Sequence, residues 1–241
     1  MIDLHTHIVA CIDDGAETIE ESVRIVNAAR LCGTKSMVLT PHYNHRQLKS
    51  ICNKQLLLQK VSEFVNNGKI KNTDMNFYIG AENYCGNSDI FNLIEKDEII
   101  SINNSKYVLI EFSTDQSFEY VFDVVSLLNT HGYIPVLAHA ERYVCLQNQY
   151  SRINSLKKTG CKIQINSESV LGQNNYSSLK LTEFLMENKL VDIIASDVHD
   201  LYERSPDLSE AHAEVCLKYS VDYAEDLLFR NPQLIVENKN W

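Results

Sequence analysis

The sequence has 241 residues and a formal net charge of −10, and 44% of its residues are hydrophobic. That length suits one large hydrophobic core, so we expect a single domain over residues 1–241. No apolar run is long enough to cross a bilayer, and an acidic chain without a basic run is a poor partner for nucleic acid. The seven cysteines form no Cys-x-x-Cys pair, and the N-terminus does not read as a secretory signal. We therefore expect reduced thiols in a cytoplasmic protein.

Seven segments of the chain are predicted to be β-strands. Several of them, such as residues 36–40 and 107–110, are apolar on both faces. Such runs are typical of parallel strands that helices cover on the outside, whereas half-exposed antiparallel strands alternate. In chain order, the predicted strands are residues 2–7, 36–40, 77–81, 107–110, 134–138, 162–165 and 191–195.

Segments of helical character lie between and after these strands. A capping box at Thr18-Ile19-Glu20-Glu21 begins the first helix, which should end near Gly33. Alternation of strand and helix predicts a parallel α/β fold, and seven repeats favour a closed barrel over an open sheet. The other predicted helices are residues 48–65, 118–128, 151–158, 179–188, 209–217 and 221–229.

Histidines and carboxylates recur near the ends of the predicted strands. His5 and His7 are two residues apart in an extended segment, so their side chains point to the same face. Alone, each such residue has an ordinary explanation, for example a helix cap for Asp197 or a rim carboxylate for Glu111. In a parallel barrel, however, the C-terminal ends of all strands open on one face. The candidate ligands that would converge there are His5, His7, Asp14, His42, Glu82, Glu111, His139, Asp197 and His199.

Five imidazoles and four carboxylates are more donors than one metal ion uses. Carboxylates that bridge two or three ions would employ all of them, and buried carboxylates need such compensation. Mixed nitrogen and oxygen ligation suits manganese, iron or zinc better than calcium, without choosing among them. Close metal pairs are suited to the hydrolysis of phosphate esters.

The residues that surround these candidates resemble a known superfamily. The matching segments are residues 2–7, 12–16, 40–43, 80–82, 110–112, 138–143, 164–166 and 194–199. In order and content they resemble the polymerase-and-histidinol-phosphatase superfamily of metal-dependent phosphoesterases. Within it, the chain is most similar to the bacterial manganese-dependent tyrosine phosphatases of capsular and exopolysaccharide synthesis. The resemblance implies a distorted seven-stranded barrel, with the metal site at the C-terminal ends of the strands.

The resemblance also implies roles for particular residues. The nine candidates would be ligands of two or three ions. The resemblance implies manganese, with iron, zinc, cobalt and magnesium as alternatives. Arg142 and Arg204 match positions that resemble the family's phosphate-binding arginines, and Asp14 and His42 would take part in catalysis. Without the resemblance, Arg142 would be a rim residue in a salt bridge with Glu141. Arg204 would be an ordinary solvated loop arginine.

The function implied is hydrolysis of phosphotyrosine in a protein. The partner would be the tyrosine-rich tail of an autophosphorylating kinase that controls polysaccharide synthesis and export, and the nucleophile would be a metal-bound hydroxide. No cysteine has an arginine six residues after it, so the thiolate chemistry of other tyrosine phosphatases is excluded.

Three alternatives remain open at this point. One is a small-molecule phosphatase of the same fold, acting on histidinol phosphate or on a sugar or nucleotide phosphate. An amidohydrolase ranks below it, because Glu111 stands where such enzymes usually need a carbamylated lysine. The third is a non-enzymatic, metal-stabilised module that binds a kinase.

Two further observations concern residues outside the ligand set. His45, His131 and His212 fall away from the predicted strand ends, and we expect them at the surface. Glu168 places a charge where the resembled family tends to have small residues. It would either narrow the choice of substrate or face solvent.

Overall fold

Nine short parallel strands form two hydrogen-bonded sheets in the computed structural model, which describes residues 1–45, 50–86 and 89–240. The smaller sheet has the order β1-β2-β4, and the larger has the order β3-β5-β6-β7-β8-β9. The strands are β1 Ile2–Thr6, β2 Ser36–Leu39, β3 His42–Tyr43, β4 Asn76–Ile79, β5 Glu82–Tyr84, β6 Tyr107–Glu111, β7 Ile134–Leu137, β8 Lys162–Asn166 and β9 Ile193–Ala195.

The second and third predicted strands, residues 36–40 and 77–81, correspond to β2 and β4, and each is followed by a short further strand that the sequence did not indicate. Pro41 follows β2 and has no N–H to donate, so the hydrogen-bonded ladder cannot continue through it. Opposite this break, β4 ends at Ile79 and β5 begins at Glu82. The first halves pair in the smaller sheet, and the second halves pair in the larger one, with His42 opposite Glu82. Two candidate ligands therefore lie side by side at the first pair of the second ladder.

The free edges of the two sheets meet where β1 and β9 end. Thr6 forms an isolated parallel bridge with Val198. The N–H of His7 donates to the carbonyl of Val198 at 2.9 Å, and the N–H of Asp197 donates to the carbonyl of His5 at 3.0 Å. The sheet is therefore curled, and the curl brings the first and last strands together. The α/β class and the parallel pairing are as predicted.

Helices cover the outer face of this curled sheet. Of those in the described residues, none is long and apolar enough to cross a membrane. The α-helices are α1 Ile19–Leu31, α2 Lys54–Val65, α3 Gly68–Lys71, α4 Asp89–Glu95, α5 Phe118–Thr130, α6 Tyr150–Lys158, α7 Ser167–Val170, α8 Tyr176–Glu187, α9 Ser209–Lys218, α10 Val221–Glu225 and α11 Asn231–Val236. Short 3-10 turns span Ile102–Asn104 and Ala140–Arg142, and a π-helical turn spans Asp226–Arg230.

Capping side chains decide where the predicted helices begin. The Thr18 side chain accepts from the N–H of Glu21 as predicted, but the Glu21 carboxylate accepts from the N–H of Glu17 rather than of Thr18. The helix predicted over 48–65 begins only at Lys54, because the Asn53 side chain caps it through the N–H of Leu56. Residues 48 and 49 of that prediction lie outside the described residues.

An apolar cluster fills the concave side of the sheet. Its members include Leu4, Val38, Leu109, Val136 and Ile193, all at most 1% exposed. Side chains from five different strands can meet in this way only inside the curl. Outward-facing residues of these strands pack against the helices in two further clusters, so both faces of the sheet are buried. This packing fixes the strand ends that carry the candidate ligands.

Asn83 holds the interrupted strand pair to its neighbours. Its amide nitrogen donates to the carbonyls of Ala81 at 3.1 Å, Ile100 at 2.9 Å and Leu109 at 2.9 Å. Its oxygen accepts from the N–H of Ile100 at 3.1 Å. The side chain is fully buried, so removing it leaves several main-chain groups without partners.

We therefore expect Asn83→Ala to lower the free energy of unfolding by about 2–4 kcal/mol, because each orphaned buried polar group costs roughly 1–3 kcal/mol. Urea denaturation measures this directly. The matched control is Asn188→Ala, whose amide donates to the carbonyl of Phe184 at an exposed helix end. The control should change stability by no more than about 0.5 kcal/mol. Equal losses in the two variants would contradict the role given to Asn83.

Candidate metal centre

The curled sheet brings all nine predicted ligands to one end of the strands. His5 lies in β1, and Glu111 is the last residue of β6. His139 follows β7, and Asp197 and His199 follow β9. The other four are His7 just after β1, Asp14 in the next loop, His42 at the start of β3 and Glu82 at the start of β5.

Glu82 lies at the centre of this cluster and is 1% exposed. Its Oε1 is 3.3 Å from His5 Nε2 and 3.0 Å from His139 Nε2. Its Oε2 is 3.3 Å from His7 Nε2 and 3.0 Å from His42 Nδ1. One buried carboxylate thus contacts four imidazoles, which makes it the electrostatic centre of the cluster.

The remaining carboxylates surround this centre. Asp197 Oδ1 is 3.4 Å from His5 Nε2 and 3.5 Å from His7 Nε2. Asp14 Oδ1 is 3.2 Å from His42 Nε2 and 3.3 Å from His199 Nε2. In three groups the possible ligand atoms all lie within 4.8 Å of one another: His7, Asp14, His42 and His199; His5, His7 and Glu82; and His42, Glu82 and Glu111.

His5 and His7 give the clearest indication that a cation belongs here. His5 Nδ1 is 3.1 Å from Gln164 Oε1, and His7 Nδ1 is 2.8 Å from Asp13 Oδ2. Gln164 Oε1 also accepts from the main-chain N–H of His139, which fixes that atom as the amide oxygen. Both Nδ1 atoms therefore donate, and in the neutral imidazoles both Nε2 atoms carry lone pairs. These two Nε2 atoms are 3.0 Å apart.

Two facing lone pairs cannot form a hydrogen bond, but they can share a metal ion. Among the described residues, His139 Nδ1 and Glu111 Oε2 are buried without a hydrogen bond. His42 Nδ1 and His199 Nε2 lie 3.0 Å and 3.3 Å from carboxylate oxygens of Glu82 and Asp14 but form no hydrogen bond with them. Buried polar atoms are rarely left in this state, and several in one cluster point to an ion. The residues present therefore fit a site for metal ions.

The pKa shifts in the metal-free cluster also indicate that this site needs positive charge. Burial lowers the pKa of His5, but the carboxylates of Glu82 and Asp197 outweigh it and raise the pKa to about 9. Burial raises the pKa of Glu111 well above its usual range, and the charge of Glu82 raises it further. Without a metal, protons must supply the positive charge that the cluster needs.

Sequence reasoning missed the residues that orient the ligands. Asp13 Oδ2 accepts from His7 Nδ1 and, at 3.1 Å, from the N–H of His42. Gln164 Nε2 donates to Asn166 Oδ1 at 2.8 Å, and Asn166 Nδ2 donates to Asp197 Oδ2 at 2.9 Å. A signal was present for Gln164 and Asn166, because two polar residues at i and i+2 interrupt an otherwise buried strand.

Gly15 allows the Asp13–Asp14 loop to approach β1. A Cβ atom on Gly15 would lie 1.8 Å from the carbonyl oxygen of His7, so no other residue fits without moving the backbone. The N–H of Gly15 donates to Asp13 Oδ1 at 3.1 Å, and the N–H of Ala16 donates to the His7 carbonyl at 3.1 Å. The loop therefore places Asp13 behind the ring of His7.

Both predicted phosphate-binding arginines lie at the edge of the cluster. Arg142 Nη1 is 3.2 Å from Asp197 Oδ2, and Arg142 Nη2 is 2.8 Å from Glu168 Oε1. Arg204 lies 3.9 Å from both Asp14 Oδ2 and Asp197 Oδ2. The salt bridge considered between Arg142 and Glu141 is replaced by these contacts. Glu141 is fully buried and instead accepts from the N–H of Asn166 at 3.1 Å.

The expectation for the three remaining histidines was wrong for His45. His45 is 8% exposed, and its ring centroid is 4.0 Å from that of Tyr84 and 5.5 Å from that of His42. His131 is exposed at the end of α5, and His212 is half-buried beside Glu225 at 3.3 Å.

The fold and the site together define an α/β protein with a candidate centre for several metal ions. A family model described as capsular polysaccharide synthesis, CpsB/CapC, matches residues 1–237. The chain therefore belongs to the CpsB/CapC family.

Similar proteins match nearly the whole chain. The tyrosine-protein phosphatase CpsB of Streptococcus pneumoniae is 32% identical over 245 residues, covering 98% of each chain. The protein of the same name in Streptococcus agalactiae serotype V is 31% identical over 243 residues, covering 99% of each. A solved structure from work on YwqE of Bacillus subtilis and CpsB of Streptococcus pneumoniae matches with a TM-score of 0.89 and 27% identity, covering 100% of this chain and 96% of that one. Those two proteins are described as unique metal-dependent tyrosine phosphatases.

The amide of Gln164 generates a prediction about the metal-free protein. Gln164→Leu keeps the side-chain volume but removes the partners of His5 Nδ1, the N–H of His139 and Asn166 Oδ1. We expect the free energy of unfolding to fall by about 2–4 kcal/mol, because buried polar groups lose their partners. Chemical denaturation in the presence of a chelator is the measurement.

The control for this substitution is Gln59→Leu on the exposed face of α2. Its amide donates only to Glu63 Oε1, four residues along the same helix. This variant should be within about 0.5 kcal/mol of the unsubstituted protein. If Gln164→Leu also left the free energy of unfolding unchanged, the amide would not hold the histidines in place.

Proposed function

We propose that this chain is a metal-dependent phosphatase that hydrolyses phosphotyrosine in proteins. The observation that carries the proposal is the pair of Nε2 atoms of His5 and His7, 3.0 Å apart with both Nδ1 atoms already hydrogen-bonded. When both imidazoles are neutral, such a pair offers two lone pairs to one cation. The name tyrosine-protein phosphatase, borne by relatives about 31% identical over nearly the full length, supports the reaction type.

The proposed metal ligands are the nine residues that the sequence analysis selected, His5, His7, Asp14, His42, Glu82, Glu111, His139, Asp197 and His199. They would hold two or three ions. Manganese is our first proposal, and iron, zinc, cobalt and magnesium are the alternatives, because mixed imidazole and carboxylate donors do not distinguish among these metals.

We also propose that the two sheets act as one closed barrel with seven strand positions. In this description β3 continues β2, β5 continues β4, and the Thr6–Val198 bridge closes the ring. The candidate ligands then ring the open end of the barrel, where active sites of such folds lie. Residues 1–237 match a single family model, which supports a single domain.

The proposed chemistry combines the metals with groups of the chain. The bound ions would supply a water of lowered pKa and positive charge for the phosphate oxygens. Arg142 and Arg204, which both approach Asp197 Oδ2, would bind the phosphate oxygens, since guanidinium groups bind them through paired hydrogen bonds. Asp14 is the most exposed candidate ligand, with 33% of its side chain accessible. Burial raises the pKa of Asp14, but His199 and His42 outweigh it and hold the pKa well below the usual range, so the group stays ionised. Its Oδ2 would accept a hydrogen bond from the attacking water while Oδ1 stays 3.2 Å from His42 Nε2.

The proposed substrate is phosphotyrosine in the tyrosine-rich tail of a bacterial tyrosine kinase, within the cytoplasm. A tyrosyl ester leaves as a phenolate with a pKa near about 10, which is a far better leaving group than a serine or sugar alkoxide. The site would therefore need little help from an acid at the departing oxygen. Membership of a capsular polysaccharide synthesis family supports a kinase that controls polysaccharide synthesis and export.

The test is a phosphatase assay with purified protein stripped by a chelator and then reloaded with manganese. The substrates are a phosphotyrosine peptide, the matching phosphoserine peptide, histidinol phosphate and p-nitrophenyl phosphate. We expect the stripped protein to be inactive, because the charged cluster needs its cations, and manganese to restore turnover. The reloaded protein should show the highest kcat/KM among the physiological candidates on the phosphotyrosine peptide.

Each failure of this assay has a distinct meaning. Faster hydrolysis of histidinol phosphate than of the phosphotyrosine peptide would favour the small-molecule phosphatase. Full activity in protein shown by elemental analysis to be metal-free would contradict the metal centre. No turnover of any ester by metal-loaded protein would favour a binding module.

Arg142 provides a prediction that separates phosphate binding from metal binding. Arg142→Ala should lower both kcat and kcat/KM, because the guanidinium would stabilise charge in the transition state. The loss in kcat/KM should correspond to about 2–4 kcal/mol, as for other charged or polar donors in catalytic sites. Arg24→Ala, on the exposed face of α1, is the control. Metal content should stay constant in both variants, and unaltered kinetics of Arg142→Ala would make Arg142 a rim residue only.

A further inference from the structure

Glu168 forms an ion pair with the arginine that we propose to bind phosphate. Its Oε1 is 2.8 Å from Arg142 Nη2, while Arg142 Nη1 is 3.2 Å from Asp197 Oδ2. Both terminal nitrogens of the guanidinium therefore already have a carboxylate partner. The side chains of Arg142 and Glu168 are 26% and 19% exposed, so the pair lies at the edge of the site rather than free in solvent.

The backbone that carries Glu168 is held firmly in place. Glu168 is the second residue of α7, and Glu141 binds the chain on both sides of it. Glu141 Oε1 accepts from the N–H of Asn166 at 3.1 Å and from Ser169 Oγ at 2.5 Å. Glu141 itself is fully buried. The backbone therefore keeps the Glu168 side chain within reach of Arg142.

A phosphate anion bound at Arg142 would share that arginine with Glu168. Two negative groups on one guanidinium repel each other, and partial burial limits how far water and salt screen the repulsion. Among the described residues, Arg204 forms no ion pair as short as the 2.8 Å contact between Arg142 and Glu168. Its two ion-pair distances, to Asp14 Oδ2 and to Asp197 Oδ2, are both 3.9 Å. The cost of the repulsion thus falls on anions that bind through Arg142.

We propose that Glu168 sets the affinity of the site for phosphate by weakening the binding of anions at Arg142, so that the product phosphate leaves readily. The inference rests on the proposed function, since it takes Arg142 as the phosphate ligand. Glu168 itself is neither a candidate metal ligand nor in contact with the bond that is broken. Glu168 is then a residue that tunes product release.

The main variant is Glu168→Gln, because it removes the charge while the amide oxygen still accepts a hydrogen bond from Arg142. A role limited to orienting Arg142 would survive this change, whereas an electrostatic role would not. The matched control is Glu203→Gln, which makes the same charge change at an exposed residue lining the same 120 Å³ cavity as Glu168 and Arg204. Metal content and melting temperature verify that each variant is folded and loaded.

The measurements are the inhibition constant of inorganic phosphate against p-nitrophenyl phosphate and the phosphate Kd from calorimetry on manganese-loaded protein. We expect Glu168→Gln to bind phosphate about tenfold more tightly than the unsubstituted protein. Removing a fully buried charge would have a larger effect, but this ion pair is partly exposed and solvent screens it. The KM for p-nitrophenyl phosphate should fall in parallel. Glu203→Gln should stay within about twofold of the unsubstituted protein, because its charge is screened by solvent. Glu168→Ala should shift phosphate binding in the same direction as Glu168→Gln.

A double-mutant cycle with Arg142→Ala assigns the effect to the ion pair. In the Arg142→Ala background, Glu168→Gln should tighten phosphate binding less than in the unsubstituted protein, because phosphate is no longer held against the guanidinium next to Glu168. The proposal is overturned if Glu168→Gln leaves phosphate affinity unchanged or weakens it, or if the tightening is undiminished without Arg142. Loss of turnover in the unsubstituted protein would instead overturn the proposed function, and the calorimetric measurement of phosphate binding would still test Glu168.

Discussion

Burial of negative charge among imidazoles at one end of a curled sheet is the constraint on which this structure depends. Glu82 is 1% exposed and lies within 3.3 Å of four histidines. A buried charge that loses its partner costs several kcal/mol, typically about 3–5 kcal/mol. Burial lowers the pKa of His42, but the Glu82 and Asp14 carboxylates outweigh this and raise it to about 11. Positive charge is therefore required here, from protons in the bare protein or from metal ions in the loaded one.

The scaffold meets this constraint through three buried polar side chains that bind main-chain N–H groups. Asp13 accepts from the N–H of His42, Gln164 from that of His139, and Glu141 from that of Asn166. Each of them ties one loop of the site to another element of the fold. The apolar cluster inside the curl supports the same strand ends from below. The protein alone thus holds the candidate ligands in place, which would reduce the conformational entropy lost when an ion binds.

The sequence predicted those features that depend on local spacing. The i, i+2 pairs His5/His7 and Asp197/His199 placed candidate ligands on the right strand ends, and runs apolar on both faces identified parallel strands. The breaks after β2 and β4 were missed, because they depend on Pro41 and on pairing across the sheet. The contact between Arg142 and Glu168 joins residues 26 positions apart, and no local pattern indicates it. The burial of His45 was likewise missed, because it depends on contact with Tyr84, which lies in another strand.

The central claim is that metal ions bind among the nine clustered side chains. The most direct measurement is anomalous diffraction at the manganese edge from crystals of manganese-loaded protein, with elemental analysis of the same preparation. The account predicts two or three anomalous peaks within about 2.0–2.3 Å of histidine nitrogens and carboxylate oxygens of the cluster, with one peak shared by the Nε2 atoms of His5 and His7. A cluster without any peak, or metal bound only elsewhere on the chain, would contradict it.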